Sequence, residues 1–254
     1  MDAVQLLLDA ERSGEPVGEL PTGAVPSSRP EAYAAQAAWA RGERVAGWKI
    51  AATSLAGQRH LQVDGPLGGL TSEAMLVDPD RPISLAGNRM RLAELEFAFR
   101  LDRELAPRAA AYTVEEVVDA AGELLLSWEL PSTRYADVAA VGTLPLILDN
   151  ACGHRLALRP ATEQDWKNAD LSAVEVRASN SNGTVHPGHS SNALGDPRIA
   201  LTWLVNELSA AGITVQAGQF VTTGVCTDPL PIAGGETITG DWGRFGSFRL
   251  SFVE

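Results

Sequence analysis

Cysteine and long hydrophobic runs are both scarce in this sequence of 254 residues. Its two cysteines, Cys152 and Cys226, are too few for the disulfide framework of a small secreted protein, so we expect free thiols in a reducing compartment. No run approaches the roughly 18 apolar residues of a membrane-spanning helix, and the first residues lack the cationic segment of a secretory signal. We therefore expect a cytoplasmic protein that has no membrane as a partner.

Positive charge is also in short supply. Lys and Arg number 20 against 32 Asp and Glu, which gives a formal net charge of -12 and a pI near 4.8. Such a charge repels polyphosphates and anionic lipid surfaces, so nucleic acid is excluded as an expected partner. An anionic substrate would need local positive charge, either from a bound cation or from a few placed Lys and Arg side chains.

The composition is that of a folded protein, with 45% hydrophobic and 20% charged residues. The first part of the chain has helical patterns at residues 2–12 and 31–44, followed by a short apolar segment at 45–53 that predicts a buried strand. The later part is richer in strand patterns, with a hairpin signal at Asn182-Gly183. It contains one helix, whose start at Asp196-Pro197 is indicated by proline at the first helical position.

A strand with an acidic face is predicted at residues 91–101, because apolar side chains alternate there with Glu94 and Glu96. Two carboxylates on one face of a strand, roughly 6 to 7 Å apart, can converge on one ion. Glu129 is the candidate third ligand, since an unpaired carboxylate in its apolar stretch would be costly. Hard divalent cations such as Mg²⁺ prefer this donor set. The alternative is a solvated acidic surface.

A lysine in an apolar segment, Lys49, is the candidate acid or base. Desolvation would lower the pKa of its ammonium group towards the range useful for proton transfer. The alternative is a lysine at the end of a strand whose ammonium group reaches water.

Short motifs between positions 47 and 224 then resemble a known family. They are Gly47-Trp-Lys-Ile-Ala-Ala-Thr-Ser54, Ala93-Glu-Leu-Glu-Phe-Ala-Phe99, Trp128-Glu-Leu130, Asp149-Asn-Ala151, Ala193-Leu-Gly195, Ala217-Gly218 and Thr223-Gly224. Their order and spacing resemble the 2-oxopent-4-enoate hydratase and 4-oxalocrotonate decarboxylase branch of the fumarylacetoacetate hydrolase superfamily. The resemblance covers nearly the whole chain.

The resemblance implies a metal-dependent active site. By it, Glu94, Glu96 and Glu129 hold Mg²⁺ or Mn²⁺, and Lys49 is the catalytic residue. Six residues in or near the motifs are expected to contact the substrate: Thr53, Ser54, Leu67, Arg134, Asn150 and Thr223.

The resemblance also implies the architecture. The fold expected is α+β, a mixed β roll or barrel of the fumarylacetoacetate hydrolase C-terminal type with a small helical N-terminal region. We place that region at residues 1–70, packed on a catalytic domain at residues 71–254. Members are usually homo-oligomers, and related hydratases and decarboxylases can associate, which makes another pathway enzyme a further expected partner.

One departure from the family pattern leaves the reaction open. Family hydratases commonly read Pro-Asp-Phe-Gly where this sequence has Pro66-Leu-Gly-Gly69, so Leu67 replaces an acid suited to acid/base steps. Leu67 and Ser132-Thr-Arg-Tyr135 are more like the decarboxylases, although Ser132 replaces an acid of that segment. Asp64 or Glu73 would be the compensating acid.

The expected activity is hydration of a 2-hydroxy-2,4-dienoate, or its 2-oxo-4-enoate form, to a 4-hydroxy-2-oxo acid. The substrate would chelate the ion through its carboxylate and C2 oxygen, and Lys49 would move the proton. The first alternative is decarboxylation of a 2-oxo-3-enedioate of the 4-oxalocrotonate type. The second is a non-catalytic subunit that stabilises such an enzyme.

Overall fold

Helices and strands alternate along the chain, of which the computed structural model describes residues 2–254. The helices are α1 (Ala3–Ser13), α2 (Arg29–Gln36), α3 (Leu55–Leu61), α4 (Val114–Ala120), α5 (Thr143–Leu148) and α6 (Pro197–Ala210). The strands are β1 (Val45–Ala51), β2 (Leu67–Ser72), β3 (Ile83–Ser84), β4 (Leu92–Leu101), β5 (Ala121–Leu130), β6 (Arg155–Pro160), β7 (Glu175–Asn180), β8 (Val185–His189), β9 (Phe220–Thr222), β10 (Leu230–Pro231), β11 (Thr237–Asp241) and β12 (Ser247–Val253). Short 3₁₀ turns lie at Ala37–Ala40, Glu73–Met75, Val138–Ala140, Asn150–Cys152, Trp166–Asn168, Ser190–Asn192 and Gly243–Phe245.

The strands form two mixed sheets, so the α+β expectation is confirmed at this level. The larger, seven-stranded sheet has the order β2-β1-β9-β4-β5-β6, with β10 paired to β4. The smaller, five-stranded sheet has the order β3-β12-β11-β7-β8. Most pairs are antiparallel, while β1 with β9 and β12 with β3 are parallel. Strands β1 and β2 thus belong to the same sheet as β4 and β5. The expected boundary between the N-terminal region and the catalytic domain, at position 70, lies within β2.

Strand β4 occupies the centre of the larger sheet and is buried on both faces. Phe97 packs edge-to-face on Phe245 of the 3₁₀ turn before β12, with ring centroids 5.6 Å apart. The Trp242 indole N–H donates to the Glu96 carbonyl oxygen at 2.9 Å. On the opposite face Glu96 and Ala98 are also fully buried. The alternative of a solvated acidic surface therefore does not describe Glu96.

The larger sheet is open, so the barrel form of the expectation is wrong for the part of the chain that the structure describes. Side chains, and not another strand, cover the outer edge of β2. Asn150 accepts from the Leu70 N–H at 2.7 Å and donates to the Leu70 carbonyl at 2.8 Å. Tyr33 accepts from the Gly68 N–H, and Gln36 donates to the Gly68 carbonyl, each at 2.9 Å. With its edge groups satisfied, β2 has no need of a further strand.

Local hydrogen bonding defines several boundaries of the helices and strands. Thr113 and Glu116 form the reciprocal capping box that begins α4. The Asp196 side chain caps α6 by accepting from the Arg198 N–H. The predicted hairpin is β7 paired antiparallel with β8. The predicted helix at 31–44 is shorter than expected, because α2 passes into a 3₁₀ turn that ends at Arg41 with a φ of 52°.

Both cysteines are buried free thiols, as expected. Between residues 2 and 254, no helix is long and apolar enough to cross a membrane.

Candidate active site

Neighbouring strands bring three glutamates to one place. In the antiparallel register of β4 and β5, Glu94 lies directly opposite Glu129, and Glu96 lies opposite Ser127. One oxygen from each of the three carboxylates lies within 4.8 Å of the others. Glu96 and Glu129 are 0% and 1% exposed, whereas Glu94 is partly exposed because it faces a cavity. Like charges directly opposite each other destabilise a sheet, so this arrangement requires a compensating positive charge.

The carboxylates are incompletely satisfied by the protein. Glu96 Oε2 accepts from the Gly224 N–H at 3.0 Å. Glu96 Oε1 and Glu129 Oε2 have no hydrogen-bond partner among the described residues. Burial, together with the charges of Glu129 and Glu94, raises the pKa of Glu96 well above its usual range. Because the oxygens converge and lack partners, these three residues could hold a divalent cation.

Lys49 on β1 supplies positive charge beside the glutamates. Its Nζ lies 3.0 Å from Glu129 Oε1 and donates to the Ala151 carbonyl at 2.8 Å, and the side chain is 2% exposed. Burial alone lowers the pKa of Lys49, but the charges of Glu129, Glu94 and Glu96 outweigh it, and the pKa is raised. The expected lowering of this pKa is therefore wrong for this arrangement, because it considered desolvation without the neighbouring carboxylates.

A strained turn positions the carbonyl that Lys49 contacts. Asn150, Ala151 and Cys152 have φ angles of 55°, 48° and 63°, a left-handed conformation that costs energy for residues other than glycine. The two hydrogen bonds from Asn150 to Leu70 hold this turn against β2. A Cβ at Gly69 would lie 2.5 Å from the Asn150 carbonyl oxygen and 2.7 Å from Lys49 Cδ, so this close approach requires glycine.

The site opens into a cavity of about 500 Å³. Its wall includes Lys49, Glu94 and parts of α3. Thr53 and Ser54, two of the predicted substrate-binding residues, also line it. Thr53 Oγ1 is buried without a hydrogen-bond partner between residues 2 and 254, whereas Ser54 Oγ caps α3 by accepting from the Gly57 N–H at 3.0 Å.

The other predicted substrate-binding residues lie outside the cavity wall. Leu67 is buried in the core and pairs with Ala51, and Arg134 forms an ion pair with Asp149. Asn150 bonds to Leu70, and Thr223 donates to the Phe97 carbonyl at 2.9 Å.

The two acids considered as replacements for the one missing at Leu67 also lie elsewhere. Asp64 is exposed and accepts from Thr143, and Glu73 pairs with Arg44. A second cavity, of about 650 Å³ near Arg159 and Arg249, includes none of the predicted site residues.

Sequence reasoning missed the contributions of the backbone. The Gly224 N–H and the Ala151 carbonyl contact the charged groups directly, and the motifs Thr223-Gly224 and Asp149-Asn-Ala151 were the only signals of them. The outer cavity wall was also missed, including His60, Met90 and Asp228, because separate segments of the chain build it.

The chain is similar to several characterised enzymes, although no protein-family model matches it. It is 30% identical over 218 residues to a 2-hydroxyhexa-2,4-dienoate hydratase of Comamonas testosteroni, covering 85% of this chain and 81% of that protein. It is 28% identical over 236 residues to a 2-oxo-hept-4-ene-1,7-dioate hydratase of Escherichia coli, covering 88% and 86%. The solved structure of 4-oxalocrotonate decarboxylase from Pseudomonas putida G7, complexed with magnesium and adipate, superposes with a TM-score of 0.87 at 22% identity, covering 99% and 96%. The chain therefore belongs to the 2-oxopent-4-enoate hydratase and 4-oxalocrotonate decarboxylase branch of the fumarylacetoacetate hydrolase superfamily.

Proposed function

We propose that the chain is a divalent-metal-dependent lyase that hydrates a 2-hydroxy-2,4-dienoate to a 4-hydroxy-2-oxo acid. The observation that carries the proposal is the group of three convergent glutamates beside Lys49 at one cavity. The related hydratases, named for 2-hydroxyhexa-2,4-dienoate and 2-oxo-hept-4-ene-1,7-dioate, support the substrate class.

The proposed cofactor is Mg²⁺ or Mn²⁺, held by Glu94, Glu96 and Glu129. Their donor set fits such an ion, because three hard oxygens converge and two carboxylates have an oxygen without a protein partner within residues 2–254. The related decarboxylase of known structure is complexed with magnesium. When bound, the ion supplies positive charge for the substrate carboxylate and for the negative charge that develops on the C2 oxygen.

The chain's own residues would move the protons. Hydration of 2-hydroxypenta-2,4-dienoate takes a proton from the 2-hydroxyl and adds one at C5, after which water gives its oxygen to C4 and a proton to C3. Lys49 Nζ lies at the cavity wall and is the candidate group that passes the proton to carbon, while the charges of the glutamates raise its pKa and so weaken it as an acid. Neutralisation of the three glutamates would lower that pKa and let Lys49 accept a proton as well. Thr53 Oγ1 is a candidate hydrogen-bond donor to the substrate.

Decarboxylation of a 2-oxo-3-enedioate is the second candidate function. Leu67 favours it, because the family's hydratases carry an acid there and loss of CO₂ needs no acid to activate water. A non-catalytic subunit is the third candidate, and turnover by the purified chain alone would exclude it.

The test is an assay of the purified chain with Mg²⁺. We expect loss of the ultraviolet absorbance of 2-hydroxypenta-2,4-dienoate, with formation of a product one water heavier by mass spectrometry. Release of CO₂ from a 2-oxo-3-enedioate without any hydration would replace the first candidate by the second. Absence of both reactions, with Mg²⁺ or Mn²⁺ present, would overturn the proposal of a lyase.

Matched variants connect the activity to the site. Lys49→Met and Glu94→Gln are each expected to lower kcat/KM by about 10²- to 10⁴-fold, the range typical of lost acid/base or electrostatic catalysis. Glu123→Gln makes the same change as Glu94→Gln at the far end of β5, where Glu123 pairs with Arg100, and should retain activity. Equal losses in Glu94→Gln and Glu123→Gln would contradict the assigned site.

The finer architecture belongs to the same proposal. We propose a β roll of the fumarylacetoacetate hydrolase C-terminal type, a homo-oligomeric assembly and a cytoplasmic location. Its N-terminal region at residues 1–70, which contains α1, α2 and α3 together with β1 and most of β2, would pack on a catalytic domain at 71–254. The ion pair between Lys49 and Glu129 would then join the two regions at the active site.

A further inference from the structure

The charged groups of the active-site cavity are few and unevenly placed. Its lining contains two acids, Glu94 and Asp228, and two basic side chains, Lys49 and His60. Lys49 already contacts Glu129 and the Ala151 carbonyl. Asp228 and His60 are both exposed, which places them at the mouth.

No arginine lines this cavity in the described chain. Two arginines next to lining residues in sequence bind elsewhere: Arg91 pairs with Glu254 at 3.1 Å, and Arg89 donates to the Gly14 carbonyl at 3.1 Å. Arg59, which precedes His60 on α3, is exposed and is not part of the lining. The remaining wall is mainly apolar, with Leu61, Met90, Leu92, Val138, Val225 and Pro229 among its members.

We propose that the enzyme takes monocarboxylate dienoates with an apolar tail and rejects those that carry a second carboxylate at the far end. This inference rests on the proposed function, in which the first carboxylate and the C2 oxygen lie at the three glutamates. A second carboxylate would then lie against the apolar wall or near Asp228. There it would lose hydration without gaining a guanidinium or ammonium partner, since the remaining basic side chain of the lining, His60, is exposed to solvent at the mouth. Such a transfer is unfavourable.

The size of the cavity indicates that the substrate can carry an apolar tail. A volume of about 500 Å³ lies in the range typical of drug-sized ligands, which leaves space beyond a five-carbon acid. Each methylene group that becomes buried against the apolar wall should raise kcat/KM by about three- to fourfold. The six-carbon 2-hydroxyhexa-2,4-dienoate should therefore be a better substrate than the five-carbon one.

The test compares three substrates on the Mg²⁺-loaded enzyme: 2-hydroxypenta-2,4-dienoate, 2-hydroxyhexa-2,4-dienoate and 2-hydroxyhepta-2,4-diene-1,7-dioate. We expect kcat/KM for the dioate to be lower than for the six-carbon monocarboxylate by about 10²-fold, because sites that leave a polar group unpaired discriminate at least this strongly. A dioate value within tenfold of the monocarboxylate value would overturn this inference while leaving the hydratase function intact. Turnover of none of the three would overturn the hydratase function itself.

A variant that adds a cation to the apolar cavity wall tests whether the lack of a cationic partner causes the rejection of the dioate. Met90→Lys places an ammonium group at the end of a chain of similar length, and Met90→Gln is its uncharged control. Met90→Lys should raise the ratio of kcat/KM for the dioate to that for the monocarboxylate by at least tenfold, while Met90→Gln leaves this ratio within about twofold. Asp228→Asn should raise the same ratio by a few-fold, through loss of repulsion. An unchanged ratio in both Met90→Lys and Asp228→Asn would contradict the assigned cause.

Discussion

Two buried ion pairs lie on either side of the left-handed turn at residues 150–152, and the protein treats them differently. Arg134 has a partner for each of its side-chain nitrogens. Its Nε donates to Asp149 Oδ1 at 2.6 Å, Nη1 donates to the carbonyls of Ser132 and Gly153, and Nη2 donates to the Asp149 carbonyl. The guanidinium also lies 4.4 Å from the centroid of the Trp39 ring. One positive charge meets one negative charge, and the network is complete.

The group around Lys49 is incomplete by the same measure. Three carboxylates face one ammonium group, and two buried carboxylate oxygens, Glu96 Oε1 and Glu129 Oε2, lack any partner in the described structure. Both regions bury charge equally well, so burial of charge does not distinguish a functional site from a structural one. Charged groups that lack protein partners do distinguish it, because a bound ligand can supply the partners that the protein does not.

The sharpest test of this comparison is loss of Arg134. Arg134→Met should destabilise the protein by about 3–5 kcal/mol, because it leaves the Asp149 carboxylate buried without its cation. Urea denaturation measures this loss.

Removal of the uncompensated charge provides the control. The double variant Arg134→Met/Asp149→Asn should recover part of the stability, since no buried carboxylate is left unpaired. A loss below about 1 kcal/mol in the single variant would mean that the complete network does not support the fold.

The opposite outcome is expected at the acidic group. Glu96→Gln should leave the stability of the metal-free protein unchanged or raised, because burial and the charges of Glu129 and Glu94 disfavour the ionised Glu96. The amide oxygen of Gln can still accept from the Gly224 N–H. The variant should bind Mg²⁺ at least about 100-fold more weakly, since loss of even an outer-shell partner of a metal ligand lowers metal affinity by about 10- to 100-fold.

Thermal unfolding separates the two effects without an activity assay. Mg²⁺ at about 100 times its Kd should stabilise the wild-type protein by about 2.7 kcal/mol and the variant by much less. A variant that is destabilised without Mg²⁺ as strongly as Arg134→Met would make the acidic group structural, and the comparison would fail.

The residues of the acidic site could be predicted because each carries a local signal. Glu94 and Glu96 follow from the period-two alternation of one strand, and Glu129 follows from the cost of a carboxylate in an apolar stretch. Lys49 stands out in its segment for the same reason as Glu129. The convergence of these side chains depends on few long-range contacts, chiefly the pairing of β4 with β5.

The surroundings of the site could not be predicted in this way. No propensity of Ala151 or Cys152 indicates the left-handed turn, which hydrogen bonds from Asn150 to β2 impose from outside. The family resemblance made Arg134 a candidate for contact with the substrate, but tertiary contacts with Asp149 and Trp39 engage its guanidinium group. The cavity wall comes from separate segments, and only the fold brings them together.

The smallest expected effect concerns His154, which lies near the ion pair of Arg134 with Asp149. Its Nδ1 lies 3.4 Å from the Asn88 amide nitrogen, and burial, together with the charges of Arg155, Arg134 and Arg41, lowers its pKa to about 3. The unfolded chain binds a proton at His154 near pH 6.5, whereas the folded chain does so only near pH 3. The contribution of His154 to stability is therefore fully present above pH 6.5 and is lost as the pH falls towards 3.

Between pH 6.5 and 5.5 this loss should be about 1 kcal/mol, measured as the difference in urea stability between the wild-type protein and His154→Gln. The acidic group has the opposite sign. The raised pKa values of Glu96 and Glu129 give stability that is fully present below about pH 4.5 and is lost as the pH rises through them. The contribution of Glu96 and Glu129 is the same in the wild-type protein and in His154→Gln, so it cancels in the difference between their stabilities. If the two proteins lose stability equally over this interval, His154 is protonated in the fold, and the region around Arg134 tolerates a further positive charge that its complete network should exclude.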